Sequence, residues 1–151
     1  MTILRNLSNF NVPIKDLLHI YKLYVRSVIE QSSVVWSSSI TTEELNAFER
    51  TQRIALKLIY KQNYISYDFA LSRSNLQKIS ERFDLLRLKF ALKCSENEKT
   101  SYMFPLNTNH DTIETRHKEL YKVPFASHTR FQTSAIPVMS KQLNEYFMNK
   151  T

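Results

Sequence analysis

The chain has 151 residues, of which 42% are hydrophobic and 12% aromatic, a composition that fits one folded domain and argues against disorder throughout. It contains no glycine, which disfavours hairpin-rich folds and glycine-based nucleotide-binding loops and favours helices. The formal net charge of +7 suits a polyanionic partner, although many proteins are mildly basic without one.

The single cysteine, Cys94, can form neither an internal disulfide nor a zinc site built on several thiolates, which indicates a reducing compartment. The longest apolar runs are too short to span a bilayer, and no secretory signal pattern opens the chain. We therefore expect no membrane partner and an intracellular location, in the nucleus or the cytoplasm.

The first forty residues predict two helical segments and a short apolar run. Apolar residues at helical spacing in residues 1–10 indicate the end of a first helix, which residues 11–13 interrupt because the residue before proline avoids the helical region. A second helix is predicted from 14 to about 29. Its apolar face is predicted to comprise Leu17, Leu18, Tyr21, Tyr24, Val25 and Val28. In the run 34–36 that follows, Trp36 is predicted to be buried against the helices on both sides.

The next helix is predicted from about 42 to 60. Thr41 and Glu44 form a capping-box pattern, in which each side chain accepts the other residue's backbone N–H. The buried stripe is predicted to comprise Leu45, Phe48, Ala55, Leu56 and Ile59. Three cations lie together on another face, namely Arg50, Arg53 and Lys57. There Glu49 is expected to pair with Arg53 at an i,i+4 spacing and to neutralise part of the charge.

A brief helix over 67–72, capped by Ser66, is predicted to bury Phe69 and Leu71. The helix predicted from about 76 to 94 is apolar over so broad a surface that we expect packing on two sides, as in a central core helix. The rows predicted to be buried are Ile79, Phe83, Leu86, Phe90 and Cys94, and Leu85, Leu88 and Leu92.

Beyond residue 94 the apolar pattern becomes irregular. Residues 95–114 are predicted to form a loop with one apolar anchor at 102–104, followed by a basic segment over 115–151. That segment is predicted to stay irregular until Ser134, where a short helix begins with Pro137 in its first turn. The buried side of this helix is predicted to comprise Ile136, Met139, Leu143 and Phe147.

The predicted fold is therefore all-α. It is a single domain over 1–151 with about four main helices packed as an irregular bundle in 1–94. Its C-terminal third is largely irregular and ends in a short helix.

The sequence shows no residue set that predicts catalysis. A polymerase of the two-metal type needs clustered aspartates, whereas the four aspartates of this chain are isolated from one another. His110, His117 and His128 are irregularly spaced and lack cysteine partners for a zinc site. We therefore expect no catalytic residue, no metal site and no cofactor.

The C-terminal segment mixes basic and aromatic residues, which can hold phosphates and stack bases as single-strand binding proteins do. Alternatively, the rings of Tyr121, Phe125 and Phe131 pin an irregular segment onto the helices while the charges face water. The candidate nucleic-acid-binding residues are Arg116, Lys118, Tyr121, Lys122 and Arg130, with Arg50, Arg53 and Lys57 as a second group.

The order of these pieces is similar to that of a known family. The likeness is carried by YxxYVRSVIEQSSVVW followed by TTEELNAFERTQRIALKLIY, then by SERFDLLRLKFALKC, and finally by TRHKELY, HTRFQTSAIP and LNEYF. Together they resemble the C-terminal part of the reverse transcriptases of jockey-like non-LTR retrotransposons, which follows the polymerase palm. The likeness covers roughly residues 4–147.

This resemblance implies a non-catalytic fragment of an RNA-directed DNA polymerase. In the parent protein such a segment would support the binding of RNA or DNA as template and primer, and its protein partner would be the reverse-transcriptase palm domain. Two alternatives stay open. The chain is a small helical protein-interaction module whose basic face meets an acidic protein, or it is a degenerate element remnant without selected function.

Overall fold

The chain is all-α in the computed structural model, which describes residues 2–107 and 119–150. Within these ranges there is no β-strand, although Leu106 and Tyr121 form an isolated antiparallel bridge. The chain divides into two compact units, the N-terminal unit (Met1–Ser33 and Ile40–Phe83) and the C-terminal unit (Val34–Ser39 and Asp84–Thr151). The predicted all-α class is confirmed, and the single-domain organisation stays a prediction.

Helices make up most of the described chain. In order they are α1 (Thr2–Asn9), α2 (Ile14–Ile20), a π-helical segment (Tyr21–Arg26), α3 (Ser27–Glu30), α4 (Ser33–Trp36), α5 (Thr42–Tyr60), α6 (Tyr67–Ser74), α7 (Ile79–Glu96), α8 (Thr129–Gln132) and α9 (Ala135–Met148). Short 3₁₀ turns lie at Lys61–Asn63 and Ser101–Met103. The predicted break between the first two helices is confirmed, with Asn11 at a positive φ of 55°.

The π-helical segment changes which side chains of the second helical stretch are buried. The Ser27 N–H donates to the Lys22 carbonyl, a five-residue step that adds one residue to the turn. The buried positions consequently run Leu17, Tyr21, Arg26 and Ile29. Tyr24 and Val28 were predicted to be buried and are instead exposed, because the added residue rotates them away from the core.

The apolar run 34–36 lies in the short helix α4 and is less buried than predicted. Trp36 is half-buried and Val35 is exposed. A single helical turn points successive side chains in different directions, so it cannot bury three consecutive residues on one side. The prediction of a buried Trp36 is therefore corrected to a half-buried one.

Helix α5 begins as predicted. The Glu44 carboxylate accepts the Thr41 N–H at 2.8 Å and the Thr41 hydroxyl accepts the Glu44 N–H at 3.2 Å, which completes the capping box. Ala55, Leu56 and Ile59 are buried as predicted, whereas Leu45 and Phe48 are only half-buried. Between these groups lies a fully buried polar residue, Gln52, which the apolar pattern did not reveal.

Helix α6 is capped by Ser66, whose hydroxyl accepts the Phe69 N–H at 3.1 Å. It ends at Asn75 in the left-handed conformation, with φ of 51°, a role that glycine usually takes. Leu71 is buried as predicted, but Phe69 is exposed and the neighbouring Ala70 is buried in its place.

Helix α7 buries only part of the two predicted rows: Ile79, Phe83 and Cys94 are buried as predicted, whereas Leu85, Leu88 and Leu92 are half-buried. The most buried positions are Ile79, Phe83, Arg87, Ala91 and Cys94. The prediction that Leu86 and Phe90 are buried is wrong, because Leu86 is half-buried and Phe90 is 39% exposed. Apolar residues occur around much of this helix, so their spacing alone did not separate all the buried positions from the exposed ones.

Each unit has its own apolar core. In the N-terminal unit the core is formed by buried residues of α1, α2, α5 and α6, including Leu4, Leu17, Leu56, Ile59 and Leu71. In the C-terminal unit it is formed by Ala91, Cys94, Phe104, Tyr121, Met139 and Leu143. The predicted anchor at 102–104 is thus confirmed at Phe104, and the predicted final helix is confirmed with Pro137 in its first turn. Residues 108–114 of the predicted loop lie outside the described residues.

Candidate nucleic-acid interface

Helix α5 carries a row of three exposed cations on the side opposite its buried residues. We call Arg50, Arg53 and Lys57 the α5 basic row. The Arg53 guanidinium carbon lies 5.0 Å from the ring centroid of Tyr67, and the Lys57 Nζ lies 5.6 Å from that of Tyr64. Such cation–π contacts restrict where a long side chain points while leaving its charge at the surface. Two of the three cations are therefore held in place by aromatic rings.

The Tyr67 ring is itself fixed by hydrogen bonds. Its hydroxyl donates to the Glu49 carboxylate and accepts from the Gln52 side-chain amide at 2.9 Å. Burial, together with the hydrogen bond to Glu49, raises the pKa of Tyr67 far above its usual range. The Tyr67 hydroxyl thus has both a donor and an acceptor contact, which orient the ring that lies under Arg53.

Glu49 does not neutralise the α5 basic row in the way the sequence predicted. Its carboxylate accepts the Ile79 N–H at 2.7 Å and the Ser80 N–H at 3.3 Å, so it caps the start of α7. No ion pair joins Glu49 to Arg53 in the described ranges, and the predicted i,i+4 pairing is wrong. The N-terminus of a helix attracts a carboxylate. Here the carboxylate belongs to α5 and the N-terminus to α7, so the residue spacing within α5 could not reveal the contact.

A groove of about 480 Å³ runs along this face of α5. It is lined by the α5 basic row together with Asn46, Glu49 and Ile54. Three cations face one carboxylate that already has three hydrogen-bond donors, so the groove favours an anion over a cation. None of the three cations forms an ion pair with a carboxylate among residues 2–107 and 119–150.

The predicted C-terminal basic group is only partly described. Arg116 and Lys118 lie outside the described residues. Tyr121 is buried, and its ring centroid lies 5.9 Å from that of Phe147. The Asn144 side chain accepts the Tyr121 N–H at 2.8 Å and donates to the Tyr121 carbonyl at 2.9 Å. This position fits the packing interpretation of Tyr121 rather than base stacking.

Two other rings of the same segment are available to a partner. Phe125 is 91% exposed and Phe131 is also exposed. Lys122 and Arg130, from the predicted group, are exposed as well. The Lys122 N–H donates to the Pro105 carbonyl at 2.9 Å, which ties this end of the segment down. An exposed, tethered segment with two cations and two rings can contact phosphates and stack bases.

Sequence reasoning missed Tyr64 and Tyr67, the rings that contact the α5 basic row. They follow the 3₁₀ turn after α5 and return toward the helix in α6 and the residues before it. Two tyrosines shortly after a basic helix were the available signal, but their contact depends on the direction of that turn.

The described chain offers no grouping of three or more His, Cys, Asp and Glu side chains that could hold a metal ion. Among the helices within residues 2–107 and 119–150, none combines the length and apolar character required to cross a membrane. No family model, no curated protein and no solved structure matches the chain.

Proposed function

We propose that this chain is a non-catalytic nucleic-acid-binding segment, of the kind that follows the palm in reverse transcriptases of jockey-like non-LTR retrotransposons. The α5 basic row is the observation that carries this proposal, since exposed cations without carboxylate partners suit a polyanion. The net charge of +7 adds a long-range attraction for the same partner. In a parent protein the segment would hold template or primer beside the palm domain.

The row is suited to the backbone of a nucleic-acid strand. From Arg50 to Lys57 the helix rises by about 10 Å, enough to contact more than one phosphate of a single strand. Arginine can bind a phosphate with two parallel hydrogen bonds, whereas lysine acts as a point charge. These contacts carry no base-specific information, so we expect affinity with little sequence preference.

The test replaces the α5 basic row with glutamine and measures binding to a single-stranded RNA over a range of salt concentrations. We expect roughly a tenfold weaker affinity and a salt slope lower by about two, because each phosphate contact on a single strand contributes about 0.7 to that slope. The matched control carries the same loss of charge at Arg5, Lys15 and Arg73, three exposed cations of the same unit.

Equal losses in the row variant and its control would leave only a diffuse charge effect and would reject the row as the interface. A second variant replaces Lys122, Phe125 and Arg130. If it loses more affinity than the row variant does, the main contact lies in the C-terminal segment.

The protein alone is expected to extend no primer on an RNA template with magnesium or manganese. Template-dependent extension by the purified chain would contradict the non-catalytic part of the proposal.

A protein-interaction module is the second candidate function. The observation in its favour is the exposure of Leu23, Tyr24 and Val28 along the π-helical segment and α3. An apolar surface of this kind suits a protein partner better than a phosphate backbone. Replacing the three residues with Ser should leave RNA binding unchanged under the nucleic-acid proposal. A complex with a protein partner that this variant loses and the α5 row variant keeps would favour the interaction module.

A further inference from the structure

We propose that the polar cleft beside the π-helical segment binds a phosphate group of a small molecule or of a nucleic-acid end. The cleft has a volume of about 500 Å³ and lies within the N-terminal unit. Its charged lining consists of Lys22, Arg26, Glu30 and Arg82. This site is separate from the α5 basic row and shares no lining residue with its groove.

An ion triad forms the wall of the cleft. Arg82 binds the Glu30 carboxylate through two hydrogen bonds, of 2.9 Å and 3.0 Å, and the Arg26 Nε adds a third of 2.7 Å. Burial alone would raise the pKa of Glu30, but the hydrogen bonds from Arg82 and Arg26 outweigh it and hold that pKa below its usual value. Glu30 is therefore ionised at neutral pH and contributes one negative charge against two guanidinium groups.

The triad does not fully compensate the charge of Arg26, because two guanidinium groups share one carboxylate. The residue is only 8% exposed, and within the described ranges its side chain donates only to Glu30, through Nε, so its two terminal nitrogens are the part that solvent reaches. These nitrogens therefore remain available as charged donors to an anion in the cleft. Lys22 adds a third cation at the rim, without a carboxylate partner among the described residues.

The π-helical segment places these groups together. Its added residue turns Arg26 inward, onto the same side as Tyr21, where a regular helix would have placed Val25. Local π-helical turns are rare and occur frequently at functional sites. A site with one arginine fork and one lysine matches a tetrahedral oxyanion that carries more than one negative charge.

The test titrates the full-length chain with inorganic phosphate at constant ionic strength and follows binding by calorimetry. Two variants should shift the affinity in opposite directions. Lys22→Gln removes a rim cation and should weaken phosphate binding roughly threefold. Glu30→Gln removes the competing carboxylate and should strengthen it roughly threefold or more. Lys15→Gln, an exposed lysine of α2 outside the cleft, is the control and should have no effect.

Equal effects of Lys22→Gln and Lys15→Gln would overturn the proposal, as would weaker phosphate binding in a folded Glu30→Gln protein. The triad would then be a purely structural clamp. If Glu30→Gln does not fold, the comparison of the two lysine variants decides alone.

Two oligonucleotides of one sequence, with a 5′-phosphate or a 5′-hydroxyl, separate the sources of the phosphate. A Lys22-dependent preference for the 5′-phosphate indicates a strand end, and equal binding indicates a free small molecule. The α5 row variant should bind inorganic phosphate like the parent, so this site and the proposed interface can fail independently.

Discussion

Helices α5 and α7 each bury a polar residue in the middle of their core-facing side, but they treat it differently. In α5 this residue is Gln52, and in α7 it is Arg87. The Gln52 side chain accepts from the Tyr21 hydroxyl at 2.8 Å and donates to the Tyr67 hydroxyl at 2.9 Å and the Gln77 carbonyl at 3.0 Å. Both N–H groups and the oxygen of that amide are therefore paired.

The environment of Arg87 is less complete. One of its terminal nitrogens donates to the Ser37 hydroxyl at 2.6 Å and the other pairs with the Asp84 carboxylate, but its Nε is buried without a partner. Burial lowers the pKa of Arg87, and the Asp84 carboxylate opposes that shift. A buried polar residue stabilises a fold most when all its groups are paired, because each unpaired buried group carries a desolvation cost. Gln52 should therefore be essential to its unit, and Arg87 should be replaceable.

Phe83→Ala tests which positions of α7 are buried, and the contrast between Gln52 and Arg87 depends on them. Phe83 is 2% exposed, and its ring lies edge-on to that of Phe48 with 6.1 Å between centroids. Phe83→Ala should lower the free energy of unfolding by about 4 kcal/mol, measured by denaturant titration. Phe90→Ala, the control, should cost about 1 kcal/mol, because that ring is already partly in water. A larger cost for Phe90 than for Phe83 would place the core on the other side.

The next effect concerns Gln52 itself. Gln52→Leu keeps the approximate volume but leaves the Tyr21 hydroxyl and the Gln77 carbonyl without their partner. We expect a loss of about 3 kcal/mol, since each buried polar group left unpaired costs about 1–3 kcal/mol. Adding Tyr21→Phe should recover part of this loss, because it removes one of the unpaired groups. If the double variant is as unstable as the sum of the two single variants, the network is not coupled.

These examples also show how far the sequence could predict the fold. The capping box, the start of α5 and the α5 basic row depend on residues within a few positions of each other, and local spacing was sufficient for them. The burial of Arg26 was not predictable, because the π-helical step that turns it inward breaks the regular period. The burial of Arg87 was missed for a related reason. A charged residue is not expected at a buried position of a helix, and the Ser37 hydroxyl that accepts its hydrogen bond lies 50 residues away in sequence.

The same distinction applies to the candidate interface. The row itself could be predicted from helix spacing, and its cations are exposed as that spacing requires. The contacts that orient it could not, because Tyr64 and Tyr67 reach it only after the chain turns back. The capping of α7 by Glu49 is likewise a contact between segments that are distant in sequence. Because of this contact, the Glu49 carboxylate is directed away from Arg53.

Replacing Arg87 should change the stability of the chain least. Arg87→Met replaces the buried guanidinium with a flexible apolar side chain of similar length, and Asp84 is exposed enough to remain hydrated without its partner. The cost of losing the two hydrogen bonds is offset because the unpaired Nε and the buried charge are removed as well. We expect the free energy of unfolding to change by less than about 1 kcal/mol in either direction, measured as for Gln52→Leu. Ser37→Ala in the same background should be nearly neutral, since its partner is already gone. A loss comparable to that of Gln52→Leu would show that Arg87 is as well integrated as Gln52, and the contrast between the two helices would not hold.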